Sequence, residues 1–190
     1  CFCFAPHLHP AMKHVAAIRR QLGVPTIFNL LGPLCNPANA PYQLLGVGRP
    51  ELRETMAAAL ATLGTRRALV VSGSDGLDEV TLSGPTHATL VTSQQLAPLT
   101  WSPADFGLTA RDLAPLRVDG PEQSAALIRR VLLNEAGPAR DIVVLNAAAA
   151  LWTAGYDESP THCAAAAASA IERGAARRLL EQFAALSHQS

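Results

Sequence analysis

The chain has 190 residues, of which 49% are hydrophobic and 16% charged. That is long enough for a sizeable core and too apolar for a disordered segment. Lys+Arg and Asp+Glu balance at 15 each, so no basic excess exists to bind a nucleic-acid backbone, and no apolar run approaches the length of a membrane helix.

The four cysteines, Cys1, Cys3, Cys35 and Cys163, have no disulfide-framework spacing and fit a reducing, cytoplasmic setting. Cys1, Cys3, His7, His9 and His14 crowd the N-terminus but lack the CxxC pairs of a structural zinc site, so free or buried thiols are expected there. Pro10 to Leu22 reads as a helix, with Pro10 at the first helical position and Gly23 as the stop. Ala11, Val15, Ile18 and Leu22 make its apolar stripe. Lys13 and Arg20 face away. Arg19 borders the stripe, either snorkelling over the core or pointing into a ligand site. Thr26 to Ala38 is an apolar segment stiffened by Gly32-Pro33 and Asn36-Pro37.

Tyr42 to Val47 reads as a strand, and Pro50 to Leu63 as a helix with Leu52, Met56, Leu60 and Leu63 inward. Arg67-Ala-Leu-Val-Val71 reads as a strand buried on both faces of a parallel sheet. This order is βαβ. His87 to Val91 is a further strand, Leu99 to Asp119 a loop region, and Glu122 to Leu133 a helix. Asp141 to Ala154 is ambiguous: Ile-Val-Val-Leu favours strand, and the alanines that follow favour helix. Pro160 to Glu172 and Ala175 to Leu186 read as helices separated by Gly174.

The most informative stretch is Ser72-Gly-Ser-Asp-Gly76 followed by Leu77-Asp78-Glu79. The first five residues are turn chemistry, so Asp78 and Glu79 fall just beyond the carboxyl end of a sheet strand, where open α/β sheets bind ligands. Two carboxylates suffice for Mg²⁺, which leaves its other positions to water and phosphate. The competing reading is a solvated loop with two surface acids.

Four segments together resemble the anthranilate phosphoribosyltransferase family of tryptophan biosynthesis, in order and in spacing. They are FCFAPHLHPAMKHVAAIRRQLGVPTIFNLLGPLCNPA at 2–38, LVVSGSDGLDEVT at 69–81, DIVVLNAAAALWTAG at 141–155 and IERGAARRLLEQF at 171–183. The resemblance implies transfer of a phosphoribosyl group from phosphoribosyl pyrophosphate to anthranilate, with release of pyrophosphate. It also implies Mg²⁺ as cofactor and a homodimer in the cytoplasm, with no nucleic-acid or membrane partner. The implied fold is α/β, a mostly parallel sheet flanked by helices, with N-terminal helices belonging to a small helical domain. Residues 1–190 then form one catalytic fragment, with about 10–35 in the helical portion and 40–190 in the α/β portion. By resemblance Asp78 and Glu79 hold the metal, Arg19 contacts the anthranilate carboxylate, and His9 and Pro33 line the anthranilate channel. No residue is assigned a covalent catalytic role. Asp141 to Ala154 is resolved as mainly helix.

The family's Gly-Ser-Gly-Gly-Asp phosphate loop and its Lys-His-Gly-Asn segment do not occur in the sequence. The chain is therefore expected to be the C-terminal part of such an enzyme and inactive by itself. Pro25 stands where many members carry arginine. A pyrimidine nucleoside phosphorylase-like enzyme and a non-catalytic nucleic-acid-binding relative share the architecture. The IRRQLGVPTIFNLLGP and DGLDE blocks favour the anthranilate enzyme, and zero net charge weighs against nucleic acid.

Overall fold

The computed structural model describes residues 21, 23, 24, 27–36, 38–93 and 95–188. Two compact units divide at residue 40, Cys1–Ala40 and Pro41–Ser190. The Pro10–Leu22 helix, with His9, Arg19 and Arg20, lies outside the described residues apart from Gln21, as do Cys1, Cys3 and Pro25. In the first unit a short helix, α1 (Phe28–Leu31), passes into a 3₁₀ turn over Gly32–Leu34. Within the stiff apolar segment expected at 26–38, residues 28–34 thus take helical form. Pro33 sits in the first positions of the tighter turn, where a proline's missing N–H costs nothing and its φ is helical.

In the second unit the described elements run β1 (Tyr42–Gly46), α2 (Arg53–Thr62), β2 (Arg67–Gly73), β3 (Thr86–Thr92) and β4 (Leu96–Trp101). Four helices follow: α3 (Pro121–Leu132), α4 (Pro138–Thr153), α5 (Pro160–Glu172) and α6 (Ala175–Ser187). One sheet has the order β1-β2-β3-β4. The α/β class and the flanking helices are as expected, but the sheet is mixed rather than mostly parallel. β1 pairs with β2 in parallel across α2, whereas β2–β3 and β3–β4 are antiparallel. The cause lies in the connections. Residues 74–85 contain no helix, so β3 returns beside β2 as its antiparallel neighbour, while a parallel return needs a longer crossover.

β4 occupies the front of the stretch read as loop. Pro98 breaks the sequence signal for a strand, yet it is tolerated because β4 is an edge strand of the described sheet. α3, α4 and α5 each begin with proline, where a missing N–H costs nothing. In α5 the Ser159 hydroxyl also accepts from the His162 amide at 3.4 Å. Gly174, at φ +66°, ends α5 in the left-handed conformation and starts α6. The ambiguous segment 141–154 lies in α4 up to Thr153, with Val144 buried on the helix's core face and Val143 exposed. Tertiary packing overrides the local β preference.

β2 alternates between two layers. Leu69 and Val71 join one buried cluster with Leu145 and Ala148 of α4 and Cys163 of α5. Ala68 and Val70 point to the opposite face by strand alternation, and α2 packs over β2 and β3. Met56, Ala57 and Leu60 of α2 are buried. Leu63, expected inward, is 60% exposed because α2 stops at Thr62 and Leu63 leaves the stripe. Trp101 closes the cluster at the end of β4, edge-on to Phe106 at 5.0 Å and to Trp152 at 4.9 Å. The Arg67 guanidinium lies 4.3 Å from the Trp152 ring centre.

Leu145 sits fully buried where α4 meets the sheet. Leu145→Ala is expected to cost about 2–5 kcal/mol through lost apolar burial and an unfilled cavity. Urea denaturation of the two proteins measures this, and a loss below about 1 kcal/mol would mean that the cluster is not well packed at this point.

Candidate functional site

The loop between β2 and β3 carries three acids, and the structure gives them different work. Asp75 is built into the loop. Its Oδ1 accepts the Leu77 amide at 3.1 Å, and its Oδ2 accepts the Thr81 and Ser83 hydroxyls at 2.6 Å each. The first bond is an Asx turn, and the other two tie the outgoing limb of the loop to the incoming one. Gly73 donates to the Leu77 carbonyl at 2.8 Å, and Ser74 donates to the Pro85 carbonyl at 2.9 Å. Partial burial alone would raise the Asp75 carboxyl. The bonds from Ser83, Thr81 and the Leu77 amide outweigh it and hold the group below the usual carboxylate range.

Asp78 and Glu79 are exposed and, among the described residues, neither side chain accepts a hydrogen bond nor meets a cation. Their backbone is nevertheless held on both sides. The last residue of β1, Gly46, lies against the Asp78 carbonyl, so closely that a Cβ at Gly46 would overlap it. Only glycine allows that approach. Val80, immediately after Glu79, is buried and clamped by Asn146 in the middle of α4. The Asn146 Oδ1 accepts the Val80 amide at 2.9 Å, and Nδ2 donates to the Val80 carbonyl at 2.9 Å and to the Ile142 carbonyl at 3.1 Å. β1 and β2 are parallel, so the pair sits beside the carboxyl ends of two adjacent strands.

Desolvation by the surrounding protein, and then the charge of Asp78, raise the Glu79 carboxyl above its ordinary value. Two unpartnered carboxylates, one of them uncomfortable when ionised, on a shelf of fixed backbone match what a hard divalent cation requires. No third His, Cys, Asp or Glu joins them in a metal-sized cluster among the described residues. That donor set suits Mg²⁺, which takes one or two carboxylates and completes its shell with water and phosphate. It does not suit a closed zinc site, which needs four protein ligands.

Of the other residues singled out from sequence, Pro33 is exposed on the 3₁₀ turn of the first unit. Arg19 and His9 lie outside the described residues. Cys35 is exposed and Cys163 buried, and both are free thiols. Elsewhere in the second unit a groove of about 750 Å³ between α4, α5 and α6 is lined by Val143, Leu151, Tyr156, Ala170 and Arg173, with no carboxylate. The acidic pair stands out in the sequence, whereas Gly46, Asp75 and Asn146, which position it, do not. Only Asp75 leaves a signal: an Asp two residues before the amide it accepts, in a glycine-rich turn.

A glycosyl transferase a/b-domain family model matches residues 1–177, and the chain belongs to that family. The chain is similar to the anthranilate phosphoribosyltransferase of Rhodopirellula baltica, 49% identical over 184 residues, which are 97% of this chain and 54% of the relative. It is also similar to that of Nitrosomonas europaea, 46% identical over 188 residues, 99% of this chain and 55% of the relative. The crystal structure of anthranilate phosphoribosyltransferase from Thermus thermophilus superposes with a TM-score of 0.85 at 44% identity, covering 93% of this chain and 52% of that one. The enzyme from Saccharomyces cerevisiae in complex with PRPP and Mg superposes with a TM-score of 0.84 at 32% identity, over 92% of this chain and 51% of that one. The chain spans about half the length of the curated relatives it matches.

Asp75 supplies a pH test. Its carboxyl is lowered in the folded state, so its stabilisation is present above the unfolded value of about 3.9 and is lost as pH falls through the lower folded value. Asp75→Asn should therefore be less stable than the parent at pH 7. The expected gap is roughly 0.5–1.5 kcal/mol, the weakened charged bonds being discounted for solvent screening at an exposed loop. The gap should persist to about pH 5 and close on further acidification. Thermal melts of both proteins from acid to neutral pH measure it, and a gap that stayed constant throughout would remove Asp75 from its latch role.

Proposed function

We propose that this chain forms part of an enzyme that transfers the phosphoribosyl group of phosphoribosyl pyrophosphate to the amino group of anthranilate, releasing pyrophosphate. The observation that carries the reading is the Asp78–Glu79 pair, unpartnered among the described residues and fixed beside the ends of β1 and β2 in a chain of this family. The resemblance to enzymes that bind PRPP and Mg, and 4-fluoroanthranilate, supports the choice of substrates.

In this reading Asp78 and Glu79 would hold Mg²⁺, which when bound would supply positive charge for the leaving pyrophosphate. The chain's own residues do the positioning. Asp75 keeps the loop folded when the acids are charged, and Gly46 and Val80 fix the level at which they project. Arg19 pairs its guanidinium fork with the flat carboxylate of anthranilate, a geometry that a bidentate arginine suits. His9 and Pro33 line the anthranilate side. Residues of about 10–35 belong to a small helical domain and 40–190 to the α/β domain. The working enzyme is a cytoplasmic homodimer. The reaction asks for orientation and charge neutralisation rather than a covalent intermediate, so no nucleophile is required of the protein.

Asp78→Asn with Glu79→Gln tests the metal reading. Glu79 is raised on folding, so its ionised form weakens the fold at neutral pH and binds a cation better as pH rises through the raised value. At pH 7 the double variant should thus be at least as stable as the parent, while losing Mn²⁺ binding measured by electron paramagnetic resonance. In a chain of the relatives' full length it should also lose its Mg²⁺-dependent turnover. Unchanged binding and turnover would reduce the pair to surface acids.

Arg19→Ala in the same full-length background should raise KM for anthranilate roughly ten- to a hundredfold, the equivalent of about 1.5–3 kcal/mol for a charge-assisted contact. KM for phosphoribosyl pyrophosphate should change much less, and Arg20→Ala should be nearly silent. Steady-state kinetics with each substrate varied decides this, and equal effects from the two arginines would contradict the assignment.

A further inference from the structure

We infer that Asn146 is the positioning residue of the cation site, an amide clamp that fixes Glu79 through the backbone of Val80. This rests on the reading of Asp78–Glu79 as the metal ligands.

Three observations carry it. Asn146 meets Val80 with both ends of its amide, accepting from the N–H and donating to the C=O at 2.9 Å each. This two-point contact holds the peptide units on both sides of Val80, which a single bond does not. The remaining Nδ2 donor is satisfied by the Ile142 carbonyl at 3.1 Å, one turn back on α4, which fixes the orientation of the amide itself. The anchor is rigid. Asn146 is flanked on α4 by Leu145 and Ala148, which are fully buried against the sheet.

The clamp and Gly46 hold the pair from opposite ends. Gly46 receives the carbonyl of Asp78, and Asn146 holds the residue after Glu79. The two carboxylates repel each other and find no partner among the described residues, so without external restraint the loop would turn them apart into solvent. A hard cation with few protein ligands depends on such a restraint. Outer hydrogen bonds that orient ligands typically account for ten- to a hundredfold in metal affinity.

The restraint reaches across 66 residues, from the last limb of the loop to the centre of a core helix. It therefore ties the acidic pair to Asn146 at the centre of α4, in addition to the loop's own bonds.

The test is Mn²⁺ binding to this chain, read by electron paramagnetic resonance, at a temperature where circular dichroism shows every variant folded. Asn146→Ala should weaken binding roughly ten- to a hundredfold. It should also speed hydrogen exchange of the Val80 amide relative to amides in β2. Thr153→Val is the control. It removes a buried hydrogen bond of the same helix, from the Thr153 hydroxyl to the Ala149 carbonyl at 2.7 Å, with no contact to the loop. It should lower the melting temperature and leave the Mn²⁺ affinity unchanged.

If Asn146→Ala does not fold, Asn146→Asp decides. It keeps the acceptor for the Val80 amide, loses both donated bonds and adds a negative charge that by itself would attract the cation. Weaker binding supports the clamp, and equal or tighter binding overturns it. Equal loss of affinity in Asn146→Ala and Thr153→Val also overturns it, because the effect would then be general destabilisation. If Mn²⁺ binding to the parent survives the Asp78→Asn/Glu79→Gln change, the metal reading fails, and the Val80 exchange rate still reports whether the clamp holds the loop.

Discussion

Asp75 folds its carboxylate back into its own loop, and the placement of the neighbouring acids depends on those three hydrogen bonds. A loop rich in glycine and acids would ordinarily be mobile, with its charges turned to solvent. Here one charge is engaged in internal bonds, and the other two are carried on the frame that results. The contrast between Asp75, held below the usual carboxylate range, and Glu79, raised above its own, has a physical basis in partners. Asp75 receives three donors. Among the described residues Glu79 receives none, and the charge of Asp78 opposes its ionisation. A carboxylate left in that state is stabilised by what binds it, not by the fold that presents it.

The frame rests on the packing beneath it. Gly46 ends β1 in parallel register with Val71 of β2, and this register brings the end of β1 under Asp78. Asn146 reaches the loop from α4, whose Leu145 and Ala148 are buried with Leu69, Val71 and Cys163. Sheet register and helix packing therefore meet at the acidic pair. A substitution at Asn146 is thus expected to act on the acidic pair without touching either carboxylate.

Much of this arrangement is legible in the sequence wherever the signal is local. Pro160 and the glycine after Arg173 bound α5 without ambiguity, because proline at a helix start and glycine after its end act within a few residues. The apolar run after Arg67 marks β2, and the turn residues after it put Asp78 and Glu79 beyond a strand end. The rest depends on distant partners. Pro98 hides β4, since only its edge position makes a proline acceptable. The βαβ reading holds for β1 and β2 but does not extend to β3, whose direction follows from a helix-free connection. Nothing local marks Asn146 as different from any polar residue on an alanine-rich helix. Its partner lies 66 residues away. For α6 the sequence marks the helix but not its surroundings: Leu179, Leu180, Phe183 and Leu186 are all exposed.

The assignment of the cation to Asp78 and Glu79, and not to Asp75, can be read from an anomalous difference map of crystals of this chain soaked in Mn²⁺. The expected map has a peak within about 2.3 Å of carboxylate oxygens of Asp78 and Glu79, with water completing the shell and the Asp75 bonds to Thr81 and Ser83 intact. A peak centred on Asp75, or no peak at the loop in crystals that bind Mn²⁺ elsewhere, would contradict it.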